Sequence, residues 1–239
     1  MRKIFLKLLL SIVIFLTVGN SKTSSSLNIT GNVNTPTLVF EQYEEERRLE
    51  LAEKLRKENI RTYMHFLTDL GYIESRNSYI VINGRRYIGR FQFGWPALHT
   101  TGYKHINWRK FKKNPNIWKP EDQMIAMRRL LSINKKNMRS VLENYSGILL
   151  GDSLRVTESG LLAACHLGGS GRYQTYKSNG KIHKKGKGVK YFLQSNGEYN
   201  PSDGHMRLSD YLYMFSGYNF DIPQEEDLLT YIAENGDSY

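Results

Sequence analysis

Ile60, Tyr63, Met64 and Leu67 recur at the i, i+3, i+4, i+7 spacing of one helix face. That pattern predicts an amphipathic helix from 59 to about 74, with one side turned to a core. It runs out in Gly71-Tyr72-Ile73-Glu74-Ser75-Arg76-Asn77, where Gly and Asn signal a turn. "YIVINGRRYIG" follows, with Asn83-Gly84 between short β-favouring runs, which predicts a tight hairpin. "WPALHTT" predicts a short helix with Pro96 in its first turn. A long helix is predicted over 119–145, with Pro120 and acids near its start and bases later. Met127, Leu130, Leu131, Met138, Val141 and Leu142 mark its apolar face. "TESGLLAACHLGG" is almost wholly apolar, capped by Thr157 and closed by Gly168, so it predicts a central buried helix. Leu208, Tyr211, Leu212 and Phe215 mark another helix, and a last one is expected over about 223–234, after Pro223. The predicted class is mainly α with one small β-hairpin.

Upstream of 59 the pattern changes. Residues 40–58 are mostly charged with sparse Leu, which predicts a solvent-exposed N-terminal helix. Residues 21–39 are rich in Ser, Thr and Asn and read as a flexible linker. Asn28-Ile29-Thr30 within it is a glycosylation sequon by pattern alone. Arg2, Lys3 and Lys7 precede the apolar run Leu8 to Gly19, so residues 1–20 read as a secretory signal peptide. That run is short for a membrane span. A retained N-terminal anchor is the alternative, because no clear A-x-A cleavage site is present. Residues 59–239 then form the main domain, and a 40% hydrophobic chain of 239 residues can bury one core of that size.

The net charge is +11, and the chain stays basic without its N-terminal cluster. An exported basic protein in the periplasm or cell envelope, or secreted beyond it, meets anionic wall polymers and lipid head groups. The export signal sets nucleic acid aside as a partner. The lysine-rich stretch 176–192 reads as a hairpin or loop, either simply solvated or attracting anionic strands. The single cysteine, Cys165, has no internal disulfide partner and is expected as a small buried apolar residue. No His and Cys spacing suits a structural zinc, and no cofactor is implied.

Glu74 is the candidate for chemistry. The negative end of the helix dipole opposes ionisation of a carboxylate placed there. Tyr72, Ile73, Tyr79, Phe91, Phe93 and Trp95 could add an apolar wall with the same effect. A carboxylic acid that keeps its proton near neutral pH can protonate a leaving oxygen, the general-acid step of glycoside cleavage. Taken alone, a Glu at a helix end is ordinarily a solvated surface residue. Asp69 lies more than a turn earlier and reads as an exposed helix residue; Glu158 and Asp210 read as first-turn helix acids. Tyr103, Trp108, Trp118 and Tyr173 could stack on sugar faces or belong to the core.

The stretch "ESRNSYIVINGRRYIGRFQFG" resembles the lysozyme-like lytic transglycosylases, glycoside hydrolase family 23, shared with goose-type lysozymes. In that family a Glu-Ser pair ends a helix, and a Gly-x-x-Gln motif follows a loop or hairpin. The matching residues are Glu74-Ser75 and Gly89-Arg90-Phe91-Gln92. A third motif, Ala-Tyr-Asn then Gly at the end of a buried helix, falls on Ala164, Cys165, His166 and Gly168. A fourth, with a Tyr early in a later helix, falls on Tyr211. The four stand in family order across about Arg61 to Phe215.

The resemblance implies an α+β lysozyme-like fold with the hairpin beside an active-site cleft. It implies cleavage of peptidoglycan glycan strands between N-acetylmuramic acid and N-acetylglucosamine, with Glu74 as general acid and then base. In the transglycosylase branch the muramoyl 6-hydroxyl attacks, giving a 1,6-anhydro end without water. This needs one essential carboxylate, whereas most glycosidases use two. Ser75, Phe91, Gln92, Tyr103, His166 and Tyr211 are the expected substrate-side residues, with Tyr211 also holding Glu74. Two departures stand out. Cys165-His166 replaces the family's Tyr-Asn, so His166 is open to three roles: sugar ligand, backbone anchor or second acid/base. Arg90 and Phe91 stand where the family often has a small residue and Met. A muramidase on the same fold, and a glycan-binding module that does not cut, remain the alternatives.

Overall fold

The computed structural model describes residues 35–151, 153–178, 181–202 and 205–236, without the side chains of 35–39 and 172–186. The expected signal peptide and residues 21–34 of the expected linker, with Asn28, lie outside the described residues. Among those described, no helix is long and apolar enough to cross a membrane.

The chain is mainly helical, with small antiparallel β elements. Helix α1 spans Thr35–Ser75. The charged segment and the amphipathic segment are thus one helix, and Thr35 to Val39 belong to it rather than to a linker. No Gly or Pro interrupts the sequence between Thr37 and Leu70, so nothing local stops the helix there. Two compact units divide it: Met1–Arg48, described as helix from Thr35, and Leu49–Tyr239. The second unit begins before Asn59 because the charged residues are tied down. Arg56 donates to Asp227 at 2.7 Å, and Asn59 bonds the backbone of Asp221 in both directions.

The remaining helices are α2 (Trp95–Thr100), α3 (Trp108–Lys113), α4 (Pro120–Asn137), α5 (Arg139–Tyr145), α6 (Glu158–Gly168), α7 (Val189–Gln194), α8 (Leu208–Met214) and α9 (Glu225–Asn235). The long helix expected over 119–145 is two helices, broken at Met138. Asn134 and Asn137, weaker helix formers, precede the break, and the buried Met138 side chain holds it in the core. Helix α3 lacks an apolar period of its own. It starts because Asn107 accepts from the amides of Arg109 and Lys110.

"YIVINGRRYIG" forms a turn closed by an isolated Ile82–Ile88 bridge rather than paired strands. The Asn83 side chain accepts from the amides of Arg85 and Tyr87. This widens the turn, and the positive φ falls on Arg86 (68°) rather than on Asn83-Gly84. Strands β1 (Leu149–Leu150) and β2 (Leu154–Arg155) form one short pair. The larger hairpin is β3 (Arg172–Ser178) with β4 (Lys181–Lys187), paired antiparallel from Arg172–Lys187 to Ser178–Lys181. It lies in the lysine-rich stretch.

Helix α6 is central, packed against α4, α7 and α8. Its residues from Ser159 to Cys165 are all buried. Gly160 lets α8 approach, since a Cβ there would stand 2.6 Å from the Leu212 carbonyl oxygen. Ser159 Oγ donates to the Phe215 carbonyl at 2.6 Å and fixes the pair. Around them Phe66 meets Phe215 edge-on at 5.3 Å, and Phe93 meets the fully buried Trp118 at 5.3 Å.

Candidate active site

Three helices bring a carboxylate, a phenol and an imidazole together. Tyr211, in α8, donates its hydroxyl to Glu74 Oε1 at 2.5 Å. His166, at the end of α6, places Nε2 3.4 Å from the same oxygen. The side chains of Glu74 and His166 are 14% and 6% exposed, so the contact is largely screened from water. Charge-assisted bonds are stronger in such surroundings than in bulk water. His166 Nδ1 is buried without a hydrogen-bond partner, so its other nitrogen is where the ring makes its polar contact.

The turn after Glu74 is built to hold that helix end. Arg76 and Asn77 both take positive φ, 57° and 60°. Ser75 Oγ lies within bonding distance of three carbonyls, Arg90 at 2.7 Å, Ser78 at 3.2 Å and Gly71 at 3.3 Å. Its hydroxyl therefore ties the helix end to the Gly89–Phe93 turn. That turn is closed by reciprocal Ile88–Phe93 bonds of 3.1 and 2.9 Å. Phe93 then packs on His166 with ring centroids 6.1 Å apart. The turn is thus anchored at one end beside Glu74 and at the other beside His166.

Arg90 is the anchor that sequence patterning missed. It is 1% exposed. Its Nε donates to Asn77 Oδ1 at 2.9 Å, and its guanidinium also reaches Thr68 Oγ1 at 3.3 Å and the Tyr79 hydroxyl. Its amide donates to Gln123 Oε1 at 2.8 Å. Gln123 in turn donates to the Tyr79 and Trp118 carbonyls at 2.9 and 3.0 Å. Gly71 must be small, since a Cβ would stand 2.5 Å from Asn77 Oδ1 and 2.6 Å from Arg90 Nε. An Arg in a basic chain reads as surface, and its partners Asn77 and Tyr79 lie 13 and 11 residues away, so no local signal marks this role.

The other expected site residues are placed differently. Gln92 takes a positive φ of 49° and folds back, its Nε2 donating to the Gly89 carbonyl at 2.8 Å. Its Oε1 is buried without a protein partner. Phe91 is fully buried beside Phe93 and presents no ring face to solvent. Tyr103 donates to Asp122 Oδ1 at 3.2 Å and lies near Arg129 and the buried Trp118. Burial, then the Asp122 charge, pushes its hydroxyl up to about 12. Trp118 is core, Trp108 lies under Arg86 and Arg109, and Tyr173 falls among the side chains not described. Burial pushes the Cys165 thiol well above its ordinary range, which keeps it un-ionised and inert. Asp69 accepts from Tyr218, Glu158 pairs with Lys135 at 2.5 Å, and Asp210 accepts from the Arg207 amide at 2.7 Å. Comparison with known protein families, with curated proteins and with solved structures gives no match.

Proposed function

We propose that this chain is an exported peptidoglycan-cleaving enzyme on a lysozyme-like fold, a lytic transglycosylase with Glu74 as its acid and base. The observation that carries the reading is that the third and fourth motifs contact the carboxylate of the first, while the second is tied to the same helix end through Ser75. Tyr211 and His166 contact Glu74 directly, and Ser75 and Phe93 bind the Gly89–Gln92 turn beside it. The basic, then apolar, N-terminal residues support export to the periplasm or envelope.

The geometry suggests a division of labour. Among the described residues, the contacts of Tyr211 and His166 fall on Glu74 Oε1, and on this reading Oε2 faces the substrate. The protonated carboxyl gives its proton to the glycosidic oxygen as the C1–O bond breaks. The substrate's N-acetyl oxygen supports the developing positive charge at C1. The carboxylate then takes the proton from the muramoyl 6-hydroxyl, whose oxygen closes on C1. Glu74 ends protonated, as it began, and no second carboxylate is required. Tyr211 and His166 stabilise the anionic stage.

Digestion of purified peptidoglycan by the protein, beside Glu74→Gln, with products read by mass spectrometry, tests this. Muropeptides with 1,6-anhydro ends are expected from the parent, and the variant should be slower by about 10²–10⁴-fold. Reducing ends, one water heavier, would move the reading to a muramidase. Equal, negligible cleavage by both folded proteins would remove the catalytic reading.

A further inference from the structure

No Asp or Glu occurs between Glu74 and Glu121, a stretch that holds ten Lys and Arg residues. Arg90 is buried. Six of the others come together where the Asn83–Tyr87 turn meets α3. Arg86 crosses from the turn to lie 4.8 Å from the centre of the Trp108 ring, and Arg109 of α3 lies 5.4 Å from the same centre. Arg85 precedes Arg86 in the turn, and Lys110, Lys112 and Lys113 continue the helix. All six are exposed, while Phe111 is buried and fixes the helix to the core. Other cations of the chain find acids: Arg56 meets Glu53 and Asp227, Arg129 meets Glu225, and Lys135 meets Glu158. Among the described residues, the two arginines of the turn and the four cations of α3 form no ion pair.

Like charges so placed repel. The Arg86 and Arg109 guanidinium groups stand no further apart than about 10 Å, the screening length at 0.1 M salt, so solvent ions relieve the repulsion only in part. The face of the indole offsets some of it. The cluster is nevertheless held in place. Asn83 accepts from the Arg85 and Tyr87 amides, and Asn107 accepts from the Arg109 and Lys110 amides at 3.1 and 3.0 Å. Fixed cations without acids are preorganised for an anionic partner, since little backbone freedom is lost on binding. Charges on the outside of a helix turn and a loop turn make a protruding surface, which meets a plane more readily than it encloses a strand. A half-buried indole among guanidinium groups also suits a lipid–water boundary, where amphipathic rings and Arg stems settle at head-group level. We propose that Arg85, Arg86, Arg109, Lys110, Lys112 and Lys113, around Trp108, form a docking surface for anionic phospholipid head groups. This surface is independent of the cleavage reading: it needs neither Glu74 nor a glycan.

The test is co-sedimentation of the full chain with vesicles of phosphatidylcholine alone and of an equal mixture of phosphatidylcholine and phosphatidylglycerol. The quantity read is the ratio of the two partition coefficients, mixed over phosphatidylcholine, so that attachment by apolar residues cancels. The parent should favour the mixed vesicles, and the ratio should approach one as ionic strength nears about 1 M. Arg86→Gln with Arg109→Gln should lower the ratio about 25-fold, at about fivefold for each charge removed. Arg86→Lys with Arg109→Lys should keep most of it, because a lipid surface reads charge. An unchanged unfolding midpoint will show that the Gln pair is folded. A ratio near one for the parent at low salt would overturn the proposal. A high ratio that the Gln pair leaves intact would also overturn it and pass the role to other cations, such as the lysine-rich hairpin. Binding to inorganic polyphosphate that the Gln pair loses, with a vesicle ratio near one, would give the surface to a phosphate polymer and overturn the membrane assignment.

Discussion

Glu74 presents two unlike oxygens: Oε1 meets Tyr211 and His166, whereas no donor to Oε2 is found among the described residues. Removing the Tyr211 hydroxyl should expose the difference. Tyr211→Phe keeps the buried ring and its packing on Phe215 but loses the 2.5 Å bond. A bond to a charged group contributes about 1.5–3 kcal/mol. On the proposed reading, kcat on peptidoglycan should fall about 10–100-fold with little change in KM; a fall in KM-dependent binding alone would assign Tyr211 to substrate instead. Helix periodicity placed Glu74 near a helix end and Tyr211 on an apolar helix face, but only the family resemblance singled out His166 and Tyr211 as its partners. Phe91 and Gln92 were misjudged for a shared reason. They sit beside Glu74 in motif order, but the turn points the Phe91 ring into the core and folds the Gln92 amide onto Gly89. Side-chain direction in an irregular turn depends on contacts distant in sequence, such as Gln123 on the Arg90 amide.

At the scale of elements, Arg90 joins α1, the loop after it and α4. Asn77 and Thr68 accept from its guanidinium, Ser75 donates to its carbonyl, and Gln123 accepts from its amide. Arg90→Met should lower the unfolding free energy by about 2–4 kcal/mol, because the part-buried Asn77 and Thr68 lose a charged donor. Arg90→Lys should recover little of it, since an ammonium cannot span the same acceptors. Urea titration reads both, and equal stability of parent and Arg90→Met would show that the arginine is dispensable to the turn. A second joint docks α9. Arg129 donates to both oxygens of Glu225 at 2.8 and 2.9 Å, and Arg128 donates to the Pro223 carbonyl at 2.6 Å. The Arg129 bond outweighs burial and holds the Glu225 carboxyl below its ordinary value, helped by the Arg129 and Arg128 charges. The folded chain therefore binds this proton less tightly than the unfolded chain. The resulting stability is full above the ordinary carboxylate range and is lost as pH falls through the lowered value. Glu225→Gln should cost up to about 1 kcal/mol at pH 7, given the partial exposure, and the gap should close as pH falls through the lowered value. Thermal unfolding across pH 3–7 checks it; a gap that persists in acid would locate the effect elsewhere. Helix starts such as Thr157 and Pro120 were legible from local chemistry. The break at Met138 was not, because it answers to burial of one side chain in the core.

Across the whole molecule, the helical class followed from periodicity, while the β content was legible only in part: the lysine-rich stretch, open between hairpin and loop, is a hairpin. The Asn83-Gly84 signal gave only a bridged turn, and the paired strands formed in the lysine-rich stretch. Strand pairing depends on the partner segment, and lysines alternating with Gly and Ile left hairpin and loop equally open. The base of that hairpin explains how it can leave the helical body undisturbed. Gly171 and Gly188 take φ of 113° and 84°, and a Cβ on Gly188 would stand 2.7 Å from the Gly169 carbonyl oxygen and 2.9 Å from Gly171. Val189 and Lys190 then donate to the carbonyls of Gly169 and Ser170 at 3.1 and 3.3 Å. The two ends of the hairpin are therefore already side by side, and helix α7 starts from that junction. Excising 172–187 and joining Gly171 to Gly188 should leave the unfolding free energy within about 1 kcal/mol of the parent, because closing so short a gap adds little entropy cost. The same deletion removes a run of basic residues without an acid among them. If that run gathers anionic glycan strands, the deleted protein should bind peptidoglycan more weakly at low salt, and the difference should vanish as ionic strength approaches about 1 M. A weaker affinity that persists at high salt would mean that the hairpin contributes packed contacts rather than charge. A collapsed unfolding transition would mean that the strands support the core.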